Sequence, residues 1–91
     1  MLKVNEYFDG KVKSVAFSNS QGKATSGVIS PGEFEFSTSS EELMIITSGS
    51  LDVKLEGGSK VYSAGESFSV PADSKFAVRA EEDCAYICYY K

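Results

Sequence analysis

Glu42 is the acidic residue whose setting could support chemistry. It stands directly before Leu43-Met44-Ile45-Ile46, the longest apolar run of the chain, and six residues separate it from Gly49. With the alternating Leu51-Asp52-Val53-Lys54-Leu55 behind it, the stretch predicts a β-hairpin carrying one carboxylate at its mouth. A second element, Gly65 to Pro71 with a turn behind it, follows at a matching interval. The chain holds no histidine, which removes Ser-His-Asp and Cys-His nucleophilic catalysis and the usual imidazole base. It also removes the commonest ligand of zinc, iron, copper and nickel. The two cysteines, Cys84 and Cys88, lie four apart on a predicted strand. Their Cα atoms would then be about 13 Å apart, beyond the ~7 Å reach of a disulfide. They are read as small buried thiols packed among apolar groups.

Other function classes fall to composition. Ninety-one residues at net charge −4 are expected to form one domain spanning 1–91. Such a length buries roughly 60 to 70% of the unfolded surface. No Lys/Arg cluster is present to displace counterions from nucleic acid. No apolar run approaches the ~20 residues that span a bilayer, and the opening Met1-Leu2-Lys3-Val4-Asn5 is too polar for a signal peptide. A cytoplasmic protein with no nucleic-acid or membrane partner is expected.

The elements that must position Glu42 are short strands between turn formers. The expected strands are Lys11 to Phe17, Ala24 to Ile29, Glu33 to Thr38, the two arms of the Glu42 hairpin, Lys60 to Ser63, Phe68 to Val70, Phe76 to Ala80 and Cys84 to Tyr90. Asn5 to Gly10 is read as a lead-in segment closed by Asp-Gly, and Ser30-Pro31-Gly32 as a turn. No window shows a helical stripe, so an all-β sandwich or barrel is predicted. Alternation assigns the faces: Phe34, Phe36 and Thr38 inward with Glu33 and Glu35 outward; Leu51, Val53 and Leu55 inward; Phe68, Val70, Phe76, Val78 and Ala80 inward. Cys84-Tyr86-Cys88-Tyr90 opposes a face scarcely more polar, Ala85-Ile87-Tyr89. A strand apolar on both sides is often half of an oligomer interface.

Those spacings resemble the two halves of the cupin signature. Glu42 and Gly49 fit the first half, with Phe36 and Thr38 where its two histidines would stand. Gly65 and Pro71 fit the second, with Phe76 at its histidine. The resemblance implies a single-domain cupin-like β-barrel (a jelly roll, or double-stranded β-helix) without its metal centre, since a lone Glu42 does not hold a metal. A fuller resemblance runs through Asn5-Glu6-Tyr7-Phe8-Asp9-Gly10-Lys11-Val12-Lys13-Ser14, Gly27-Val28, Gly32-Glu33-Phe34, Phe36-Ser37-Thr38, Glu42, Met44, Ser48-Gly49, Ala64-Gly65, Phe68, Val70-Pro71, Ser74, Phe76 and Tyr86-Ile87-Cys88. In these residues the chain resembles the pyrimidine/purine nucleoside phosphorylase family, small cupin-like bacterial dimers. It departs from that pattern at Tyr89, where the family carries an arginine.

What the family resemblance implies is phosphorolysis of purine and pyrimidine nucleosides to free base and pentose 1-phosphate, by a metal-independent cytoplasmic homodimer. Inorganic phosphate is the co-substrate, and no cofactor is needed. Glu42 would be the catalytic carboxylate, binding ribose hydroxyls or stabilising an oxocarbenium-like charge; as an alternative it is a satisfied rim acid. Phe36, Phe76 and Tyr86, with Met44, would line the substrate site and stack on the base, which tolerates any base because each has a π-face; plain core packing is the other reading. Ser37 and Thr38, with amides of the serine-rich loop, are candidate phosphate donors. Arg79, the only arginine, is a further candidate that alternation turns away from Phe76 and Val78. A non-catalytic degenerate cupin that binds a small ligand is the competing class.

Overall fold

The computed structural model describes residues 2–91, which form ten strands and no helix. These are β1 Lys3–Tyr7, β2 Val12–Asn19, β3 Gly22–Ile29, β4 Gly32–Ser37, β5 Glu42–Ser48, β6 Ser50–Leu55, β7 Gly58–Ser63, β8 Ser67–Val70, β9 Lys75–Ala80 and β10 Cys84–Tyr90. One sheet has six strands in the order β1-β2-β3-β10-β5-β8, and the other has four in the order β4-β9-β6-β7. Every pairing within them is antiparallel. The all-β cupin-like fold is as expected. Among the described residues no ladder joins the two sheets, so the barrel closes by packing rather than through a ring of hydrogen bonds.

The expected hairpin of β5 and β6 does not form. β5 pairs with β10 and β8, whereas β6 pairs with β7 and β9 in the other sheet. The chain turns a corner at Gly49, whose φ is +80°, a value that favours glycine. A Cβ there would meet the Asp83 carbonyl oxygen at 2.8 Å, so the corner needs glycine for space as well as for conformation. The lead-in segment is likewise corrected. Lys3–Tyr7 is a strand paired with β2, and the turn behind it holds both Phe8 (φ +54°) and Asp9 (φ +57°) left-handed.

The predicted faces agree with the core. Phe34, Leu51, Val53, Phe68, Val70, Phe76, Val78 and Ala80 are buried in one contiguous cluster, with Phe36 and Leu55 packed partly buried against it. The face of β10 left open by its sequence is settled: Cys84, Tyr86 and Cys88 point into the core, with both thiols free, while Tyr90 is 40% exposed at the rim. Glu33 and Glu35 remain exposed because burying an unpaired carboxylate is costly. The alternation of β4 follows from that cost.

Candidate active site

The hollow side of the six-stranded sheet and the edge of β4 enclose a cavity of about 270 Å³. Of the residues singled out above, Phe36, Ser37, Glu42, Met44, Phe76 and Tyr86 line it. Thr38 does not. Its hydroxyl donates to the Pro71 carbonyl oxygen (2.6 Å) and accepts from the Ser74 amide (3.0 Å), while its own amide donates to the Ser74 carbonyl (2.8 Å). Thr38 therefore pins the end of β4 to the loop after β8. Arg79 lies on the outer side of the four-stranded sheet, near Glu33 and Glu81 at 3.9 Å each. Tyr89 also faces away from the cavity, its hydroxyl 3.4 Å from Gln21.

The aromatic wall is continuous. Phe36 and Phe76 stand opposite each other on β4 and β9, stacked with centroids 5.6 Å apart, and Phe76 meets Phe68 edge-on at 6.3 Å. Phe8 extends this wall outward, 4.9 Å from Phe34 and 5.6 Å from Phe36. A phenylalanine at positive φ is strained by roughly 1–2 kcal/mol, so the packing of its ring must offset that cost. Nothing in the order of residues marks Phe8 as a cavity residue, since Asp-Gly behind it reads as an ordinary turn.

The polar wall depends on register. Ser14, Gly27 and Tyr86 lie in line across β2, β3 and β10. A Cβ on Gly27 would stand 2.7 Å from the Tyr86 ring carbon Cζ and from its hydroxyl, so the tyrosine lies over the glycine with Ser14 as a hydrogen-bonding neighbour. Burial first, then the nearby ionisable groups, hold the Tyr86 hydroxyl protonated well above its usual range. The side chains of Ser14, Tyr7, Cys88 and Tyr90 complete this wall. They escaped the sequence reading because cross-strand partners cannot be known before the register.

Glu42 is the half-buried acid here. The Cys88 thiol donates toward its Oε1 at 3.3 Å. Burial raises the Glu42 pKa above the ordinary 4.5, and the thiol's hydrogen bond pulls it back in part. Cys88 is in turn raised, by burial first and then by the Glu42 charge, so it is a neutral donor and not a nucleophile. The positions of the other three cupin ligands do not fit a metal. Two are stacked phenyl rings and the third is Thr38, held by backbone. Among the described residues no three Cys, Asp or Glu side chains converge as a metal site.

The sequence profile of the pyrimidine/purine nucleoside phosphorylase family matches residues 2–90. A pyrimidine/purine nucleoside phosphorylase of Pseudomonas putida is 52% identical, over 100% of this chain and 99% of its own. A protein of unknown function from Vibrio parahaemolyticus superposes with a TM-score of 0.95 at 38% identity, covering 100% of this chain and 99% of that one. An RmlC-like cupin of Shewanella frigidimarina superposes at 0.77 with 20% identity, over 96% and 80%, which is a likeness of fold.

Proposed function

The chain belongs to the pyrimidine/purine nucleoside phosphorylase family, and on that premise we propose that it cleaves both purine and pyrimidine nucleosides with inorganic phosphate. The observation that carries the proposal is a nucleoside-sized cavity, just under the ~300 Å³ at which small-molecule sites begin, that joins an aromatic wall to a single half-buried carboxylate. A phosphate oxygen bonds to the anomeric carbon as the C–N bond breaks. The bonding pair leaves with the base, and a proton carried by phosphate completes the base. Glu42, ionised, stabilises the cationic sugar between those events or holds its hydroxyls. Phe36, Phe76 and Tyr86 stack against the base, and Met44 fills the floor. Ser37, at the rim, remains a donor to substrate oxygens. A wall of π-faces without a fixed donor–acceptor pattern suits broad base specificity. The reaction draws on no cofactor and no metal, the donor set being unsuited to one, and a cytoplasmic setting matches its substrates.

The test is release of free base from a mixture of nucleosides with and without phosphate. Cleavage that depends on phosphate supports the enzyme. Thermal stabilisation by nucleoside without turnover would support the binding protein instead.

The pH dependence follows from Glu42. Because its pKa is raised, the acid limb of kcat/KM is expected above the pH at which a free glutamate titrates, with activity rising as Glu42 ionises. Stability runs the opposite way. A carboxyl whose pKa is higher folded than unfolded costs nothing while both states are protonated, and it lowers stability as pH rises from the unfolded value through the folded one. Rates and melting temperatures measured from pH 4 to 8 should therefore diverge over the same interval.

We also read the outer face of the six-stranded sheet as the homodimer surface. Val4 and Val28 are 62% and 47% exposed there, on the same face as Ala85 and Ile87 across the paired strands. A second copy is the occupant that a self-complementary apolar face favours. Sedimentation equilibrium is expected to give twice the chain mass, and Val28→Lys to return a monomer.

A further inference from the structure

Phosphorolysis needs a place for a dianion, and the cavity offers a poor one. Its charged lining residues are Glu35 and Glu42, with no lysine or arginine among the described residues around it. A phosphate set between two carboxylates is repelled unless a cation is near. Two cations line a second, shallower hollow of about 650 Å³ that shares Tyr7 and Tyr90 with the cavity. Lys3 on β1 and Lys23 on β3 both line it, and so does Thr25, two residues beyond Lys23 on β3. The ion pairs among the described residues engage Lys13 and Arg79, and neither of these two lysines.

Register sets Tyr90, which both hollows share, directly opposite Glu42. Lys23 stands one step beyond the Tyr89–Ala24 pair on the other side of β10. Lys23 and Glu42 are thus two strand spacings apart, roughly 10 Å, with Tyr90 between them. Lys3 lies opposite Ala16, which lies opposite Thr25. The Thr25 and Tyr90 hydroxyls are 3.0 Å apart. Burial holds the Tyr90 pKa up to about 12, so it stays a proton donor at neutral pH.

We propose that Lys3 and Lys23, with the Thr25 and Tyr90 hydroxyls, form the subsite for inorganic phosphate, and that phosphate reaches the sugar past Tyr90. This rests on the phosphorylase reading. It accounts for the tyrosine at position 89 without loss of anion binding, because position 89 faces the other side of the sheet.

The test is two-substrate kinetics on the full-length protein with inosine and phosphate. Lys23→Ala and Lys3→Ala are each expected to raise the KM for phosphate about tenfold, the loss of one charge-assisted contact, and to leave the KM for inosine within twofold. Lys23→Arg should restore most of the loss, and Arg79→Ala, on the far side of the other sheet, should change neither constant. An unchanged KM for phosphate in the Lys3→Ala/Lys23→Ala double variant overturns the subsite while leaving the phosphorylase reading intact. Broadening of the ³¹P resonance of inorganic phosphate gives a readout independent of turnover. It is expected with the wild-type chain and lost in the double variant, and broadening that survives both substitutions also overturns the assignment. A wild-type chain with no phosphate-dependent cleavage sinks the phosphorylase reading, and if it does not broaden the resonance either, the subsite falls too.

Discussion

Glu42→Gln is expected to lower kcat/KM for inosine phosphorolysis by roughly 10² to 10³-fold, the scale on which losing one preorganised electrostatic group slows a reaction. The change is nearly isosteric. The amide oxygen can still accept from the Cys88 thiol, which lies 3.3 Å from Oε1 in the wild type, so the cavity wall keeps its shape. What disappears is the negative charge. A sugar that becomes cationic as its base departs then meets a neutral dipole where a carboxylate stood. Stability is expected to hold or rise slightly at neutral pH, because the ionised acid was already disfavoured by burial. A kcat loss with an unmoved melting temperature identifies charge as the cause. Unchanged turnover removes Glu42 from the mechanism.

Gly27→Ala is expected to be the most damaging small substitution. Its added methyl would sit 2.7 Å from the Tyr86 hydroxyl and 2.8 Å from the Lys13 carbonyl oxygen. The first neighbour is the tip of a side chain and could move. The second is backbone of the adjoining strand, paired with β3 on both sides of that point. Relief therefore requires parting β2 from β3 or expelling Tyr86, and overpacking of this kind costs about 3 kcal/mol. For a domain of this size that corresponds to a fall in Tm on the order of 15 °C. Any fraction that stays folded would have lost a wall of the cavity. Thermal denaturation with parallel assays checks both effects, and Gly27→Ala melting with the wild type would contradict the close approach described here.

Glycine at this position shows what a lone sequence can and cannot convey. The two faces of β4 and β9 were legible because Glu33, Glu35, Lys75 and Arg79 must reach water, which leaves Phe34, Phe36, Phe76 and Val78 a single direction. The neighbourhood of Glu42, Phe36, Met44, Phe76 and Tyr86 was legible through the family resemblance. Pairing was not. Leu43 to Ile46 followed by Gly49 and an alternating run suits a hairpin as well as a corner, and neighbouring strands pair more often than not. The partners of β5 are β8 and the far-off β10, and local propensity carries no trace of them. Thr38 misled for a related reason. A hydroxyl beside a predicted site looks available until the Pro71 and Ser74 backbone, 33 and 36 residues on, is seen to occupy it. Phe8 was hidden because its left-handed backbone opposes its own preference, and such a conflict shows only once the fold imposes it.

The central place of β10 has a kinetic consequence. Flanked by β3 and β5, it supplies Tyr86, Cys88 and Tyr90 to the cavity, and the hydroxyl contact of Tyr90 with Thr25 closes a loop of 65 residues. Loops of that length pay their closure entropy before any contact rewards it, which makes sheets of this topology slow to assemble. The β1–β2–β3 meander can zip early from local turns, but it contributes only one flank of the cleft. The cavity is therefore complete only once β10 has docked between β3 and β5.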